Sequence, residues 1–174
     1  MTFRSQWKAL AFLGATILAP LFSAAQSAPV PARAAMCAAC HGPGGNSQIK
    51  DIPSLAGQPK IFIENQLVLI REGMRDIPQM KGTLDNVPDS ELTALAVYYA
   101  SLPIAKPTAN QQPKLYARGE TLSKEMRCGI CHLPTYVGRE QMPRLAGQRE
   151  DYLLYTMRAM KANQAVGRDS IMIA

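Results

Sequence analysis

The sequence predicts an all-α protein made of two similar halves. No stretch of the chain shows the apolar and polar alternation of a half-buried strand, whereas several segments carry apolar residues at helical spacing. The motif Pro-x-Leu-Ala-Gly-Gln occurs twice, at 53–58 and 143–148, and a shift of 90 residues superposes the two copies. An internal repeat of this kind indicates two units of one fold rather than a single larger domain.

The chain divides into four segments. Residues 1–25 contain two basic residues, an apolar run and a small-residue cleavage site after Ala25, which together are typical of a secretory signal peptide. An uncleaved anchor is the alternative. Residues 26–103 are expected to form the first domain, 104–113 a proline-rich linker and 114–174 the second domain. Export places the chain outside the reducing cytoplasm, which in a bacterium is the periplasm.

Helices are expected at corresponding positions of the two halves. Each repeated motif is followed by an amphipathic helix that should bury one side. In the first half this side is formed by Phe62, Gln66, Leu69 and Ile70. In the second half it is formed by Tyr152, Thr156, Met157 and Met160. A helix from about Pro88 to Leu102 has its apolar stripe at Leu92, Leu95, Ala96, Tyr99 and Leu102. Another is expected from about Tyr116 to Arg127.

Two pentads, 37–41 and 128–132, contain all four cysteines and both histidines of the chain, in the order Cys-x-x-Cys-His. Residues three apart share one face of a helix, so each pair of thiols can bond to the two vinyl groups of one haem while the next residue ligates its iron. Two covalently bound haem c groups are therefore expected, attached through Cys37, Cys40, Cys128 and Cys131. A zinc site, a dithiol redox motif and plain disulfides are the alternatives.

The charge distribution argues against nucleic-acid binding. The formal net charge is +6, and loss of the signal peptide with Arg4 and Lys8 lowers it to +4. The propionates of two haems would bring the protein close to neutrality. Residues 104–174 carry 11 basic and 6 acidic groups, and such an excess can steer docking onto a redox partner. A merely soluble surface explains it equally well.

The iron ligands follow from the residues available in each half. His41 and His132 are expected to be the proximal ligands. Neither half has a second histidine, so the sixth ligand is methionine, lysine, tyrosine, water or none, and methionine is the one that suits electron transfer. Met80 follows the first histidine by 39 residues and Met172 follows the second by 40. The alternatives are Met74 in the first half and, in the second, Met142, Met157 or Met160.

With these motifs in place, the chain resembles dihaem cytochromes c of the cytochrome c4 family, which consist of two tandem class I cytochrome c domains. Three features besides the pentads carry the resemblance: the Gly-rich loop 42–47, the Pro-x-Leu-Ala-Gly-Gln motif and the segment Arg71-Glu72-Gly73-Met74-Arg75. The Met80 loop and the paired Tyr98-Tyr99 of the last helix extend it over nearly all of the first half. In the second half Leu133 replaces the expected glycine, and the expected last helix is lacking.

The resemblance implies further properties. The carbonyls of Pro53 and Pro143 are expected to accept a hydrogen bond from the proximal imidazole. The implied function is that of a non-enzymatic periplasmic carrier of single electrons between a quinol-oxidising complex or dehydrogenase and a terminal oxidase, such as a cbb-type enzyme. It would associate with the membrane through such a partner. A redox subunit of a dehydrogenase complex and a haem enzyme with one open iron site are the alternatives.

Overall fold

A computed structural model describes residues 28–106, 112–165 and 172. These residues form six α-helices: α1 Ala34–His41, α2 Lys60–Arg71, α3 Asp89–Ser101, α4 Pro113–Glu125, α5 Cys128–His132 and α6 Glu150–Lys161. Two short 3₁₀ turns, Pro43–Gly45 and Pro78–Met80, lie in the loops of the first half. In the same residues, β structure is limited to an isolated bridge between Arg139 and Met142. The all-α prediction is confirmed.

Some of the predicted segments include residues that the structure does not describe. The signal peptide, 1–25, and the central part of the linker, 107–111, lie outside the described residues. None of the described helices is long and apolar enough to cross a membrane.

The core lies in the first half, where α2 packs against α3. One buried cluster joins α1, α2 and α3 through Ala34, Ile63, Leu95, Ala96 and Tyr99. A second cluster is formed by Leu84, Val87 and Leu92, beside the loop that contains Met80. Together they fix the two segments that precede and follow α2, which are the segments expected to face the two sides of a haem.

The predicted stripe of α3 is confirmed, since four of its five residues are buried and Leu102 is partly buried. Acidic residues occupy the first turn of this helix, where the helix dipole favours negative charge. The stripe predicted for α2 is only partly buried, and the buried residue of that helix is Ile63. In α6 the prediction is right for Thr156 but wrong for Met157, which is 56% exposed.

The second half has a thinner interior among the residues described. Helix α4 begins three residues before the predicted start because Pro113 suits the first turn of a helix. Its apolar residues Leu115, Tyr116 and Leu122 are exposed. No helix of 112–165 occupies the place that α3 has in the first half, so little apolar surface is available to cover them.

Candidate haem attachment sites

The first pentad lies within α1, which places its two thiols three residues apart on a helix, as predicted. Cys37 is partly buried and packs against the core cluster that includes Tyr99, whereas Cys40 is exposed. Burial raises the pKa of the Cys37 thiol. The two thiols therefore differ in environment, one anchored against the core and one open to solvent.

The His41 ring is held in one orientation and one tautomer. Its Nδ1 lies 2.9 Å from the carbonyl oxygen of Pro53. A carbonyl only accepts hydrogen bonds, so Nδ1 carries the proton and the lone pair resides on Nε2. Burial lowers the pKa of His41, which favours the neutral ring that binds a metal. The expected role of the Pro53 carbonyl is confirmed.

The second pentad has the same arrangement. Helix α5 consists of the pentad alone, and His132 is only 5% exposed. Its Nδ1 lies 2.9 Å from the carbonyl oxygen of Pro143, the same distance as in the first half. The expected role of this second carbonyl is confirmed as well.

Matching loops hold the two proline carbonyls in place. In the first half the Gly45 carbonyl accepts backbone hydrogen bonds from Leu55 and Ala56, at 2.7 and 3.0 Å. In the second half the Tyr136 carbonyl accepts the equivalent pair, from the residues at 145 and 146, at 2.8 and 2.9 Å. The loop after each histidine is thereby clamped to the repeated motif that bears its hydrogen-bond acceptor.

Backbone conformation explains the glycines of the first loop. Gly42 has φ 79° and ψ 162°, and a Cβ there would lie 2.1 Å from the carbonyl oxygen of Asn46. At the corresponding position Leu133 has nearly the same conformation, φ 67° and ψ 157°. Residues other than glycine rarely adopt this backbone conformation, which costs them about 1–3 kcal/mol of strain. The second half therefore carries backbone strain that the first half avoids by using glycine.

The methionines of the first half differ in their surroundings. Met80 ends a 3₁₀ turn, is partly buried and packs against the cluster of Leu84, Val87 and Leu92. Its carbonyl accepts hydrogen bonds from both the backbone N–H and the hydroxyl of Thr83, at 3.0 and 2.6 Å. Met74, the alternative, is 52% exposed. The loop around Met80 is thus the better fixed of the two.

In the second half the methionines are less clearly distinguished. Met172 is exposed, and its neighbours on both sides lie outside the described residues. Of the alternatives, Met157 is exposed, while Met142 and Met160 are partly buried.

The side chains present fit covalent haem better than the alternatives. All four cysteines are free thiols, and each pair is followed by a buried histidine whose Nε2 bears the lone pair. Among the described residues, which include every cysteine and histidine, no three Cys, His, Asp or Glu side chains come together as a bare metal ion would require. A zinc site made from the two pairs would need such a cluster.

Comparisons with known proteins agree with this geometry. The family model described as "Cytochrome C oxidase, cbb3-type, subunit III" matches residues 27–98. A cytochrome c4 of Pseudomonas aeruginosa is 37% identical over 150 residues, which cover 81% of this chain and 73% of the relative. The crystal structure of reduced cytochrome c4 from Pseudomonas stutzeri has a TM-score of 0.72 at 29% identity, covering 81% of this chain and 83% of that one.

The chain belongs to the cytochrome c4 family. It is therefore an electron-transfer cytochrome with covalently bound haem c, and its helices are those of class I cytochrome c domains. A further relative is the "Thiosulfate dehydrogenase electron acceptor" of Thiomonas intermedia, 34% identical over 167 residues that cover 89% of this chain and 77% of the relative.

The two halves of this cytochrome meet through their repeated motifs. The amide of Gln58 pairs with the backbone of Arg144, accepting from its N–H and donating to its carbonyl, both at 2.9 Å. The amide of Gln148 pairs in the same way with the backbone of Ser54, at 2.8 and 2.9 Å. Because a shift of 90 residues relates both members of each pair, the contact is self-complementary, like an isologous interface between identical subunits.

Arg144 reinforces this contact from the second half. The side chain is buried, and its guanidinium donates to three carbonyls: those of Ala56 at 2.6 Å, Gly57 at 3.2 Å and Ala146. Burial lowers the pKa of Arg144. Carbonyl oxygens at the end of the first motif thus accept hydrogen bonds from a side chain of the second motif, and these bonds hold the two motifs against each other.

Sequence reasoning assigned no role to Gln58, Gln148 or Arg144. The available signal was the repeat itself, because the glutamine recurs at the end of both motifs although neither the helices nor the pentads require it. The Arg144 side chain had no such signal, since the equivalent residue of the first half is Ser54.

Proposed function

We propose that this cytochrome binds two haem c groups, one at each pentad, and carries single electrons in the periplasm. The observation that supports this best is the duplicated histidine geometry. Both rings are buried, and both donate from Nδ1 to a proline carbonyl at 2.9 Å. A second pentad that had lost its haem would have no reason to keep its imidazole in this tautomer.

The four thiols provide the attachment. Each would add its S–H across one vinyl group of a haem, so that a C–S bond would form and the hydrogen would pass to the other vinyl carbon, without an external oxidant. Cys37 and Cys40 would hold the first haem, and Cys128 with Cys131 the second. When bound, the haem supplies an iron that cycles between the ferrous and ferric states.

In the first half, His41 and Met80 are the proposed axial ligands. The turn at Pro78–Met80 and its hydrogen bonds to Thr83 support this choice, because they restrict the position of the methionine. Packing against a buried cluster restricts it further. A thioether ligand opposite an imidazole raises the reduction potential, which suits a respiratory carrier.

In the second half, His132 and Met172 are the proposed axial ligands. The support for Met172 is its interval from the histidine, which nearly equals that of Met80 in the first half. Met172 is exposed and the backbone at Leu133 is strained, so we expect this half to hold its ligands less firmly.

The partners proposed for this carrier are redox proteins. A quinol-oxidising complex or a dehydrogenase would reduce it, and a terminal oxidase would oxidise it. The name of the Thiomonas intermedia relative supports a thiosulfate-oxidising dehydrogenase as one candidate donor. The basic excess of residues 104–174 favours acidic docking surfaces on these partners. No substrate would be transformed, since both irons are proposed to be six-coordinate.

Mass measurement of the exported protein tests the haem number, the cleavage site and the attachment at once. We expect the mass of the chain from residue 26 plus two haems. Cys131→Ser should reduce haem retention in the second half only, because one thioether bond is lost there. Cys40→Ser is the matched control, and should reduce retention in the first half only. Full retention of two haems in Cys131→Ser would contradict the attachment scheme.

A carbon monoxide difference spectrum of the reduced protein separates carrier from enzyme. Six-coordinate irons with methionine ligands should bind carbon monoxide weakly, so the spectrum of the intact protein should change little. Strong binding by one haem would instead favour the alternative of a haem enzyme with an open site.

A further inference from the structure

The contact between the halves shares a peptide group with each proximal histidine. The peptide between Pro53 and Ser54 accepts the Nδ1–H of His41 through its carbonyl, and its own N–H donates to Oε1 of Gln148 at 2.8 Å. One rigid amide therefore connects an imidazole of the first half with a side chain of the second.

The second half repeats this arrangement with the roles exchanged. The peptide between Pro143 and Arg144 accepts the Nδ1–H of His132, and its N–H donates to Oε1 of Gln58 at 2.9 Å. Gln58 is 3% exposed, so water does not compete for this bond. Each histidine is thus linked to a glutamine of the opposite half by two hydrogen bonds that share one peptide group.

Two hydrogen bonds that share a peptide group strengthen one another. An acceptor at the N–H of a peptide polarises the amide and makes its carbonyl oxygen a stronger acceptor. A stronger acceptor at Nδ1–H draws that proton away from the ring and makes Nε2 more basic. A more basic ligand stabilises the ferric iron relative to the ferrous, and so lowers the reduction potential.

We propose that each glutamine tunes the haem of the opposite half: Gln148 acts through Pro53 on His41, and Gln58 acts through Pro143 on His132. The proposal rests on the proposed function, in which both histidines ligate iron. The glutamines are positioning residues, since they act through a peptide and an imidazole. Contact between the domains would then set the two potentials as well as the orientation of the halves.

The two series of hydrogen bonds, from Gln148 to His41 and from Gln58 to His132, are not equally strong. Oε1 of Gln148 also accepts the backbone N–H of Arg149 at 3.0 Å, so its lone pairs are divided between two donors. Among the described residues, Oε1 of Gln58 accepts a hydrogen bond only from the N–H of Arg144. We therefore expect Gln58 to have the larger effect, which falls on the second haem.

The test compares Gln58→Leu with Gln148→Leu in the full dihaem protein. Leucine removes the amide without introducing a new iron ligand. The potentials of the two haems are measured by redox titration, with each haem identified by its NMR methyl signals. Gln58→Leu should raise the potential of the His132 haem, and Gln148→Leu that of the His41 haem, by the smaller amount. In each variant, the Nδ1–H signal of the affected histidine should shift in the same crossed pattern.

A merely structural role predicts a different result. If the glutamines only hold the halves together, each variant should shift both haems alike, or chiefly the haem of its own half. Either outcome would overturn the proposal. Gln58→Glu is the conservative variant, because it keeps the acceptor oxygen. It should not raise the potential of the His132 haem, and a rise equal to that of Gln58→Leu would also overturn the proposal.

Haem counting by mass on the same samples separates this proposal from the one on which it rests. Two haems with uncrossed shifts would refute the tuning alone. A wild-type protein with fewer than two haems would refute the dihaem function and the crossed tuning together.

Discussion

Gly42→Ala tests how the loop after His41 is held. The residue combines a positive φ of 79° with a ψ of 162°, and an added Cβ would lie 2.1 Å from the oxygen and 2.7 Å from the carbon of the Asn46 carbonyl. These atoms belong to the backbone, so a side-chain rotation cannot relieve the clash. The loop itself would have to move, and with it the clamp at Gly45 on the repeated motif.

The expected loss of stability has two parts. The backbone conformation costs a non-glycine residue about 1–3 kcal/mol, and forcing an atom into a packed site adds about 1–3 kcal/mol. Alanine recovers about 0.5–1 kcal/mol because it loses less conformational entropy than glycine on folding. We expect a net decrease of about 1–5 kcal/mol in the free energy of unfolding of the first half.

Gly73→Ala is the matched control. Gly73 also has a positive φ, 69°, but an added Cβ would meet no atom within 4 Å. This variant should lose only the conformational part, about 1–2 kcal/mol. The difference between the two variants therefore measures the clash with the Asn46 carbonyl, together with any difference in backbone strain between the two positions.

Hydrogen exchange of the α3 amides measures the stability of the first half separately from that of the second. A difference of about 2 kcal/mol corresponds to exchange about 30-fold faster in Gly42→Ala than in Gly73→Ala. Equal exchange in the two variants would show that the loop yields without resistance, and would refute this account of Gly42.

Two further predictions concern the haem proposed for the first half and its surroundings. Met80→Ala should abolish the near-infrared sulfur-to-iron band of this haem, whereas Met74→Ala should leave it unchanged. The opposite pattern would move the sixth ligand to Met74. Burial raises the pKa of Tyr99 above its ordinary value of 10.0, so the folded protein retains this proton at a pH where the unfolded chain loses it. The free energy of unfolding should therefore be unaffected by this group below about pH 10 and fall above it, and Tyr99→Phe should remove that part of the fall in denaturant titrations.

Several features of this cytochrome could be predicted from short stretches of sequence. Residues three apart on a helix share one face, whatever the rest of the chain does. The prediction that Cys37 and Cys40 lie three apart on one helix was therefore correct. The stripe of α3 was correct for a related reason, since its 13 residues repeat the period often enough to specify a face. The hydrogen bonds of the two proline carbonyls followed from resemblance to a family.

Burial within the shorter helices was less predictable. In α2 the buried residue is Ile63 rather than a member of the predicted stripe, and in α6 Met157 is exposed. A stripe gives the apolar side of a helix but not how much of that side its neighbours cover. In the second half, few neighbours are present among the described residues, so a correct periodicity gave an incorrect expectation of burial.

The sequence by itself determined which side chains each half offers for haem attachment and proximal ligation, because all of them lie within one pentad. Only the tertiary structure decided how the halves meet. Gln58 and Arg144 are 86 residues apart, and Gln148 and Ser54 are 94 apart. Such contacts arise when two folded surfaces pack together, and no local periodicity records which surfaces those will be. The sequence could therefore show two similar Cys-x-x-Cys-His pentads, whereas the shared peptide groups that connect each histidine to the opposite half were visible only in the fold.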